Sequence, residues 1–140
     1  VLCLDRMTGK RLWQAPVHTG NFAKGGNAKS SHASSTPACD GERVYINFLN
    51  GGAVHATALD LDGKQLWQTK VTDYELHQGF GSSPAVFGPL LLVTADNKGG
   101  GRLAGLDRAT GKVVWTRDRP KAPNYASPIV VTAGGKEQLV

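Results

Sequence analysis

LDRATGKVVW, residues Leu106 to Trp115, is one of three versions of the same segment in this chain. The other two are LDRMTGKRLW, from Leu4 to Trp13, and LDLDGKQLW, from Leu59 to Trp67. Each version has a Leu-Asp pair, then a turn that contains glycine, and a tryptophan at its end. Repetition of this kind is the sequence signature of a repeat architecture.

A second marker alternates with the first. It is SSTPA at Ser34 to Ala38, SSPA at Ser82 to Ala85 and ASPI at Ala126 to Ile129. The spacing from Pro37 to Asp60 equals the spacing from Pro84 to Asp107, at 23 residues, whereas the segments from each tryptophan to the next proline vary in length. The repeat is therefore a rigid unit of about thirty residues joined by variable loops.

Inside the unit, the apolar residues follow the pattern of β-strands. VYINF at Val44 to Phe48 and LLLVTA at Leu90 to Ala95 are apolar on both faces, which is typical of a strand covered on both sides. Asparagine and glycine follow each of them and indicate hairpin turns. No stretch of useful length has a helical period.

These patterns predict an all-β fold, namely part of a β-propeller. Two complete four-stranded antiparallel blades are expected at residues 32–71 and 80–118, flanked by partial blades at 1–15 and 124–140. The chain starts in a third strand and stops in a second one, so we expect it to be a fragment of a longer repeat protein whose remaining blades complete the ring.

The repeated residues are interpreted as structural. The aspartate can accept hydrogen bonds from N–H groups of the turn, and the glycine allows the turn conformation. The tryptophan is predicted to fill the wedge between neighbouring blades as a buried ring, whose replacement by alanine would cost about 3–5 kcal/mol. The small residue before each Leu-Asp pair leaves room for the next sheet. The structural positions are Asp5, Gly9, Trp13, Pro37, Asp60, Gly63, Trp67, Pro84, Asp107, Gly111, Trp115 and Pro128.

Composition limits the function classes. The formal net charge is +5, but the basic residues are spread over turns without interleaved aromatic residues, which argues against nucleic-acid binding. No run of eighteen apolar residues exists, so no membrane span is predicted. Cys3 and Cys39 are predicted to be small buried core residues, and no disulfide between them is expected.

The Ala-Leu-Asp, Thr-Gly-Lys and Trp unit preceded by Ser-Ser-Pro-Ala resembles the repeat of the pyrroloquinoline-quinone (PQQ) type β-propellers, over essentially the whole chain. The resemblance implies an exported protein, periplasmic or at the cell surface. That superfamily includes quinoprotein dehydrogenases, outer-membrane assembly lipoproteins and non-catalytic domains. Its enzymes, as the resemblance implies, hold PQQ over calcium with a vicinal disulfide, a stacking tryptophan and acidic ligands. Because Cys3 and Cys39 are far apart in sequence and all three tryptophans belong to the repeat, no PQQ, calcium or other metal site is expected in these blades.

Candidate ligand-binding positions come from the propeller geometry. The first strand of a blade is innermost, so the residues before each proline face or approach the channel. These candidates are His32, Ser34, Ser35, Gly81, Ser82, Tyr125 and Ala126. The glycine- and lysine-rich segment from His18 to His32 is expected to be a surface loop, with partner or ligand binding as the alternative. No catalytic residue is assigned, and the four histidines lack metal-ligand spacing.

The resulting functional hypothesis is a non-catalytic propeller domain that serves as an interaction or ligand-binding scaffold in an exported bacterial protein. The bound molecule, whether protein or small molecule, is left open. One alternative is a PQQ-dependent alcohol or sugar dehydrogenase whose cofactor residues lie mostly outside this sequence. The other is a factor that resembles the outer-membrane protein assembly lipoproteins and recruits a partner by pairing with an exposed strand or loop.

Hydrogen exchange can test the predicted incomplete blades. Unpaired strand groups fray or associate, so amides in Leu2 to Leu4 and Ile129 to Val131 should exchange faster than those in Val44 to Ile46 and Leu91 to Val93. Equal protection of all four segments in a demonstrated monomer would contradict this prediction.

Overall fold

The computed structural model describes residues 1–140, and its regular elements are all β-strands. They are β1 (Leu2–Leu4), β2 (Arg11–Gln14), β3 (Ala38–Cys39), β4 (Arg43–Asn50), β5 (Ala53–Asp60), β6 (Gln65–Asp73), β7 (Ala85–Phe87), β8 (Leu90–Ala95), β9 (Gly101–Asp107), β10 (Val113–Arg119), β11 (Val130–Ala133) and β12 (Lys136–Leu139). No helix with the length and apolar character needed to cross a membrane is present.

The strands form four antiparallel sheets that do not close into a ring. Two sheets have four strands, in the orders β3-β4-β5-β6 and β7-β8-β9-β10, and two have two strands, β1-β2 and β11-β12. Each four-stranded sheet is a meander in which strands adjacent in sequence are also paired. The predicted all-β, propeller-type fold is thereby confirmed.

The main core lies between the two four-stranded sheets. Tyr45, Val54 and Ala56 of the first sheet are fully buried, as are Leu91 and Val93 of the second. Side chains alternate between the faces of a strand, so the other face of β4 and β5 carries a second set of buried residues that includes Ile46 and Leu59. Burial on both faces explains the lack of polar alternation in these strands.

Two of the three repeat tryptophans connect their sheet to the following one. The Trp67 Nε1–H donates to the carbonyl of Arg108 at 3.1 Å, and the ring lies against Gly111 in the β9–β10 turn. Trp13 repeats the arrangement one sheet earlier, with a hydrogen bond of 2.7 Å to the carbonyl of Leu61. Trp13 and Trp67 therefore pack on the glycine turn of the next unit, whereas no atom lies within 4 Å of a Cβ built at Gly134 or Gly135 in the turn that follows Trp115.

The rings of Trp13, Trp67 and Trp115 are partly buried, less than the buried rings that the sequence predicts. They lie on the outermost strands of their sheets, where fewer neighbouring residues cover them. Replacing Trp67 by alanine should therefore lower the free energy of unfolding by less than the loss of a core aromatic residue does.

The small residue before each Leu-Asp pair is explained by packing within its own sheet. Trp67 is paired across the strands with Ala58, and Trp115 with Gly105. A Cβ added at Gly105 would lie 2.5 Å from the Trp115 ring. The tryptophan thus covers its small cross-strand partner, and Ala58 also belongs to the core between the sheets.

The repeat aspartates accept hydrogen bonds from the turns. Asp107 Oδ1 accepts the N–H of Thr110 at 2.8 Å and its hydroxyl at 2.7 Å. Asp5 makes the same pair of bonds with Thr8, each at 2.7 Å. In both turns the threonine hydroxyl, followed by its backbone N–H, lowers the pKa of the aspartate.

The cysteines lie in different sheets, Cys3 in β1 and Cys39 in β3, and both are free thiols. Cys3 is partly buried, but Cys39 is exposed, so its prediction as a buried core residue was wrong. It occupies the last position of a two-residue strand at the edge of its sheet, where no neighbouring strand covers it.

The tryptophan–glycine contact predicts a coupling between two substitutions. Trp67→Ala should lower the free energy of unfolding by about 2–3 kcal/mol, less than a fully buried ring. Gly111 has a φ of +75°, and a Cβ there would lie 2.6 Å from the Trp67 ring, so Gly111→Ala should cost more than backbone strain alone. In the Trp67→Ala background the cost of Gly111→Ala should fall by about 1 kcal/mol.

Denaturant titrations of the wild type, Trp67→Ala, Gly111→Ala and the double variant measure this coupling. Gly88→Ala is the matched control, because Gly88 also has a positive φ, +52°, but no atom lies within 4 Å of its added Cβ. If the losses of unfolding free energy in Trp67→Ala and Gly111→Ala are additive, then the Trp67 ring is not the reason why position 111 requires glycine.

Candidate functional site

One end of the molecule carries the β4–β5 turn, the β8–β9 turn and the connections between sheets. We call it the connection end. This follows from the meander, in which every second turn lies at the same end. The long connection between β2 and β3 is bound to the β4–β5 turn, because Asn50 Nδ2 donates to the Gly20 carbonyl at 2.7 Å and the Gly51 N–H donates to the Asn21 carbonyl at 3.0 Å.

The same connection is bound to the next one at Gln78. The Asn27 N–H donates to the Gln78 carbonyl at 2.8 Å, and the Ser30 hydroxyl lies 3.2 Å from the same oxygen. Gly26 has a φ of +83°, and a Cβ there would lie 3.0 Å from that carbonyl oxygen. The glycine-rich sequence thus allows two backbones to come into direct contact.

A cleft of 220 Å³ lies beside this contact, and we call it the inner cleft. It is lined by Asn27, Ser30, Ser34, Gln78, Gly79, Phe80, Gly81 and Tyr125. Ser34, Gly81 and Tyr125 occupy the same position in the repeat, three residues before each proline. Three successive units therefore contribute to one cleft at the inner edge of the sheets.

Tyr125 organises one side of the inner cleft. Its hydroxyl oxygen accepts the N–H of Gln78 at 3.2 Å and lies 3.3 Å from His77 Nδ1. Since the hydroxyl accepts from Gln78, it can donate its own hydrogen to His77 when Nδ1 is unprotonated. Tyr125 remains 40% exposed.

Tyr74 and Phe80 support the cleft from inside. The Tyr74 hydroxyl donates to the Gly79 carbonyl at 2.9 Å, and its ring meets the Phe80 ring edge to face at 5.5 Å. Burial, followed by the nearby Tyr125 and Asp96, raises the pKa of Tyr74 to about 12. Tyr74 is therefore a neutral hydrogen-bond donor that fixes Gly79.

A second cavity of 270 Å³ lies under the long connection and shares Asn27, Ser30, Gln78, Gly79 and Phe80 with the inner cleft. His32 lines this second cavity rather than the cleft, and its ring stacks on Phe22 at 5.5 Å. The predicted surface loop is thus folded against the protein and forms the wall between two cavities.

The other predicted candidates have different surroundings. Ser35 and Ser82 are buried, and the Ser35 hydroxyl donates to the Ser82 carbonyl at 2.8 Å. One residue further, the Thr36 N–H donates to Ser83 Oγ at 2.8 Å, and the Ser83 N–H donates to Ser127 Oγ at 2.9 Å. These bonds join the inner edges of successive sheets.

The structure therefore brings together only part of the predicted set. Ser34, Gly81 and Tyr125 share the inner cleft, Ser35 and Ser82 join sheets, and Ala126 is exposed, with its N–H bound to Asn124 Oδ1 at 3.0 Å. Sequence reasoning missed Asn27, Ser30, Gln78 and Phe80. The repeat offers no signal for them because they lie in connections of variable length.

The largest cavity at the connection end, of 620 Å³, is polar. It lies beside the β8–β9 turn, and several of its charged residues form ion pairs. Arg119 binds the buried Asp96 at 3.1 Å, and Arg102 binds Asp118 at 3.3 Å. Arg102 and Asp118 pair across β9 and β10, whereas Arg119 connects β10 to the residue that follows β8.

The residues present do not fit a PQQ and calcium site. Each of Trp13 and Trp67 lies against a turn glycine of the next sheet, and Asp5, Asp60 and Asp107 accept N–H groups of their own turns. No group of three His, Cys, Asp or Glu side chains could hold a metal ion. The side chains that such a cofactor would require are thus engaged in the repeat itself.

The meander sheets, the tryptophan–glycine contacts and the cleft at the inner edge define an open section of a PQQ-type β-propeller. A family model described as outer membrane protein assembly factor BamB matches residues 50–140, which is more than half of the chain. The chain belongs to this family of PQQ-type propellers. No match was found among curated proteins.

A solved structure shows the same fold. A europium-containing methanol dehydrogenase superimposes with a TM-score of 0.54 at 20% sequence identity, over 84% of this chain. The chain spans 21% of the length of that enzyme. At 20% sequence identity, this similarity shows a shared fold only.

Tyr125→Phe tests how the inner cleft is held together. Loss of the hydroxyl removes the acceptor of the Gln78 N–H, and a hydrogen bond worth about 1 kcal/mol corresponds to about fivefold faster amide exchange. Exchange at Gln78, measured by NMR, should increase by that factor, while the amide of Ala104 in β9 should not change. Unaltered exchange at Gln78 would exclude the role given to Tyr125.

Proposed function

We propose that this chain is a non-catalytic section of a propeller scaffold that binds a segment of a partner protein in the inner cleft. The observation that carries the proposal is the composition of that cleft. Its lining combines amide and hydroxyl side chains with the aromatic faces of Tyr125 and Phe80. Groups of this kind suit a peptide, whose backbone both donates and accepts hydrogen bonds.

The construction of the cleft supports binding without large rearrangement. Gln78 is held by Asn27 and Ser30 from one connection and by Tyr125 from another. Because three segments fix each other, the polar groups are ordered before a ligand arrives, which lowers the entropic cost of binding. Chain connections carried by a rigid scaffold are also where binding residues are most often found.

The family favours one more specific version of this proposal. A propeller of the outer membrane assembly factor type would use the connection end to recruit another envelope protein. The match of residues 50–140 to that family model supports it, as does an exported location, in the periplasm or at the cell surface, implied by the same resemblance. The partner would then be a protein rather than a small molecule.

The dehydrogenase alternative has weaker support in these residues. The methanol dehydrogenase that superimposes on the chain is similar in fold, whereas the tryptophans and carboxylates of this chain are engaged in repeat contacts. We accordingly expect the chain to bind neither PQQ nor calcium.

Peptide selection tests the proposed function. A random peptide library displayed on phage is selected on the immobilised chain, and the enriched peptides are synthesised for titration. Tyr125→Ala and Gln78→Ala should each weaken their binding about tenfold, equivalent to about 1.4 kcal/mol. Lys64→Ala, an exposed position at the opposite end of the first four-stranded sheet, is the matched control and should leave binding unchanged.

Two results would contradict the proposal. One is a set of peptides whose affinity is the same for the wild type and both cleft variants, which would place binding elsewhere. The other is saturable quenching of tryptophan fluorescence by micromolar PQQ that is strengthened by calcium, which would favour the dehydrogenase.

A further inference from the structure

His18 and His55 form a pair outside the inner cleft. His55 lies on β5 and alternates with Val54 and Ala56, which face the second four-stranded sheet, so His55 is on the opposite face. His18 reaches this face from the connection after β2. The two imidazole centroids are 5.1 Å apart, with ring planes inclined at 58°.

A third polar side chain completes the group. Gln68 on β6 is paired with Thr57, two residues from His55 on the same face. Its Nε2 lies 3.5 Å from His18 Nε2 and donates to Thr57 Oγ1 at 2.9 Å. Phe48 meets the His18 ring edge to face at 6.2 Å and supplies an apolar wall.

The pair has unused coordination capacity. By hydrogen-bond distance and angle, the buried His55 Nδ1 has no partner, although the backbone of Ala53 lies close enough to the ring to raise its pKa against the effect of burial. Burial lowers the pKa of both imidazoles, and the neighbouring His55 lowers that of His18 further. Neutral imidazole is the form that binds metal ions.

We propose that His18 and His55 bind a divalent transition-metal ion of the class that prefers imidazole, such as Zn²⁺, with Gln68 as a third donor. Zinc–nitrogen bonds of about 2.0–2.1 Å place two ligand nitrogens of a tetrahedral site roughly 3.3 Å apart. Ring centroids 5.1 Å apart can reach this separation by rotation of the rings. A half-turn of the Gln68 amide directs Oε1 toward His18. A water molecule would occupy the fourth coordination position of the zinc ion.

The histidine pair is independent of the inner cleft. His18 lines a cavity of 220 Å³ together with Phe48 and Asn50. None of the residues that line the inner cleft belongs to the pair. A metal ion here would join the long connection to the first four-stranded sheet and so stabilise the region from which that connection starts.

Zinc titration of the chain without an affinity tag tests the proposal. The exposed Cys39 is replaced by Ser in all proteins, so that its thiol does not bind zinc. Isothermal titration calorimetry should show one equivalent of Zn²⁺, and His18→Ala and His55→Ala should each weaken binding at least tenfold. His32→Ala and His77→Ala are the matched histidine controls and should change the affinity less than twofold.

Gln68→Glu and Co²⁺ give additional readouts. A carboxylate is a better zinc ligand than an amide, so Gln68→Glu should tighten binding. Co²⁺ in the wild-type site should give the intense visible absorption of tetrahedral coordination, and His18→Ala should abolish it. His18 lies on a connection and is partly exposed, so circular dichroism of His18→Ala should match the wild type even if His55→Ala unfolds.

Three results would overturn the assignment. They are the absence of stoichiometric zinc binding, equal losses in the His32→Ala and His77→Ala controls, and unchanged affinity in Gln68→Glu. The first two would remove the metal site, and the third would remove Gln68 from it. None of them bears on peptide binding in the inner cleft, because the two sites share no residue.

Discussion

The contact between a tryptophan ring and the glycine turn of the next sheet is the interaction on which the rest of the structure depends. Trp67 binds the Arg108 carbonyl through its indole N–H and occupies the space that a side chain at Gly111 would need. Trp13 does the same against Gly63. Because the outer strands of neighbouring sheets diverge, a large flat ring fills the space between them while a small residue lets it approach.

The inner edges of the sheets are joined by smaller groups. Serine and threonine before each proline form hydrogen bonds from one sheet to the next, as in Ser35 to Ser82 and Thr36 to Ser83. Large rings outside and short polar side chains inside give each interface a wedge shape, which is the shape that sheets arranged around an axis require. Both ends of the molecule are then free to carry turns and connections that the wedge does not constrain.

The candidate sites come from those free connections. The inner cleft is formed where the connection after β2 crosses the connection after β6, and the histidine pair is formed where the first of these leaves its strand. In both cases a repeated scaffold holds residues that are not repeated. Membership of the PQQ-type propeller family accounts for the scaffold, whereas the binding properties proposed for this chain depend on residues specific to it.

The fold can be predicted from the sequence alone, because the Leu-Asp, turn-glycine and tryptophan positions are local and recur at fixed spacing. It also led to Ser34, Gly81 and Tyr125, which occupy one repeat position. Three features became evident only in three dimensions, namely the contact between Asn27 and Gln78, the partial exposure of the tryptophan rings, and the position of His18 beside His55. Variable connections have no periodic pattern, and their residues are brought together across long sequence distances by packing between sheets.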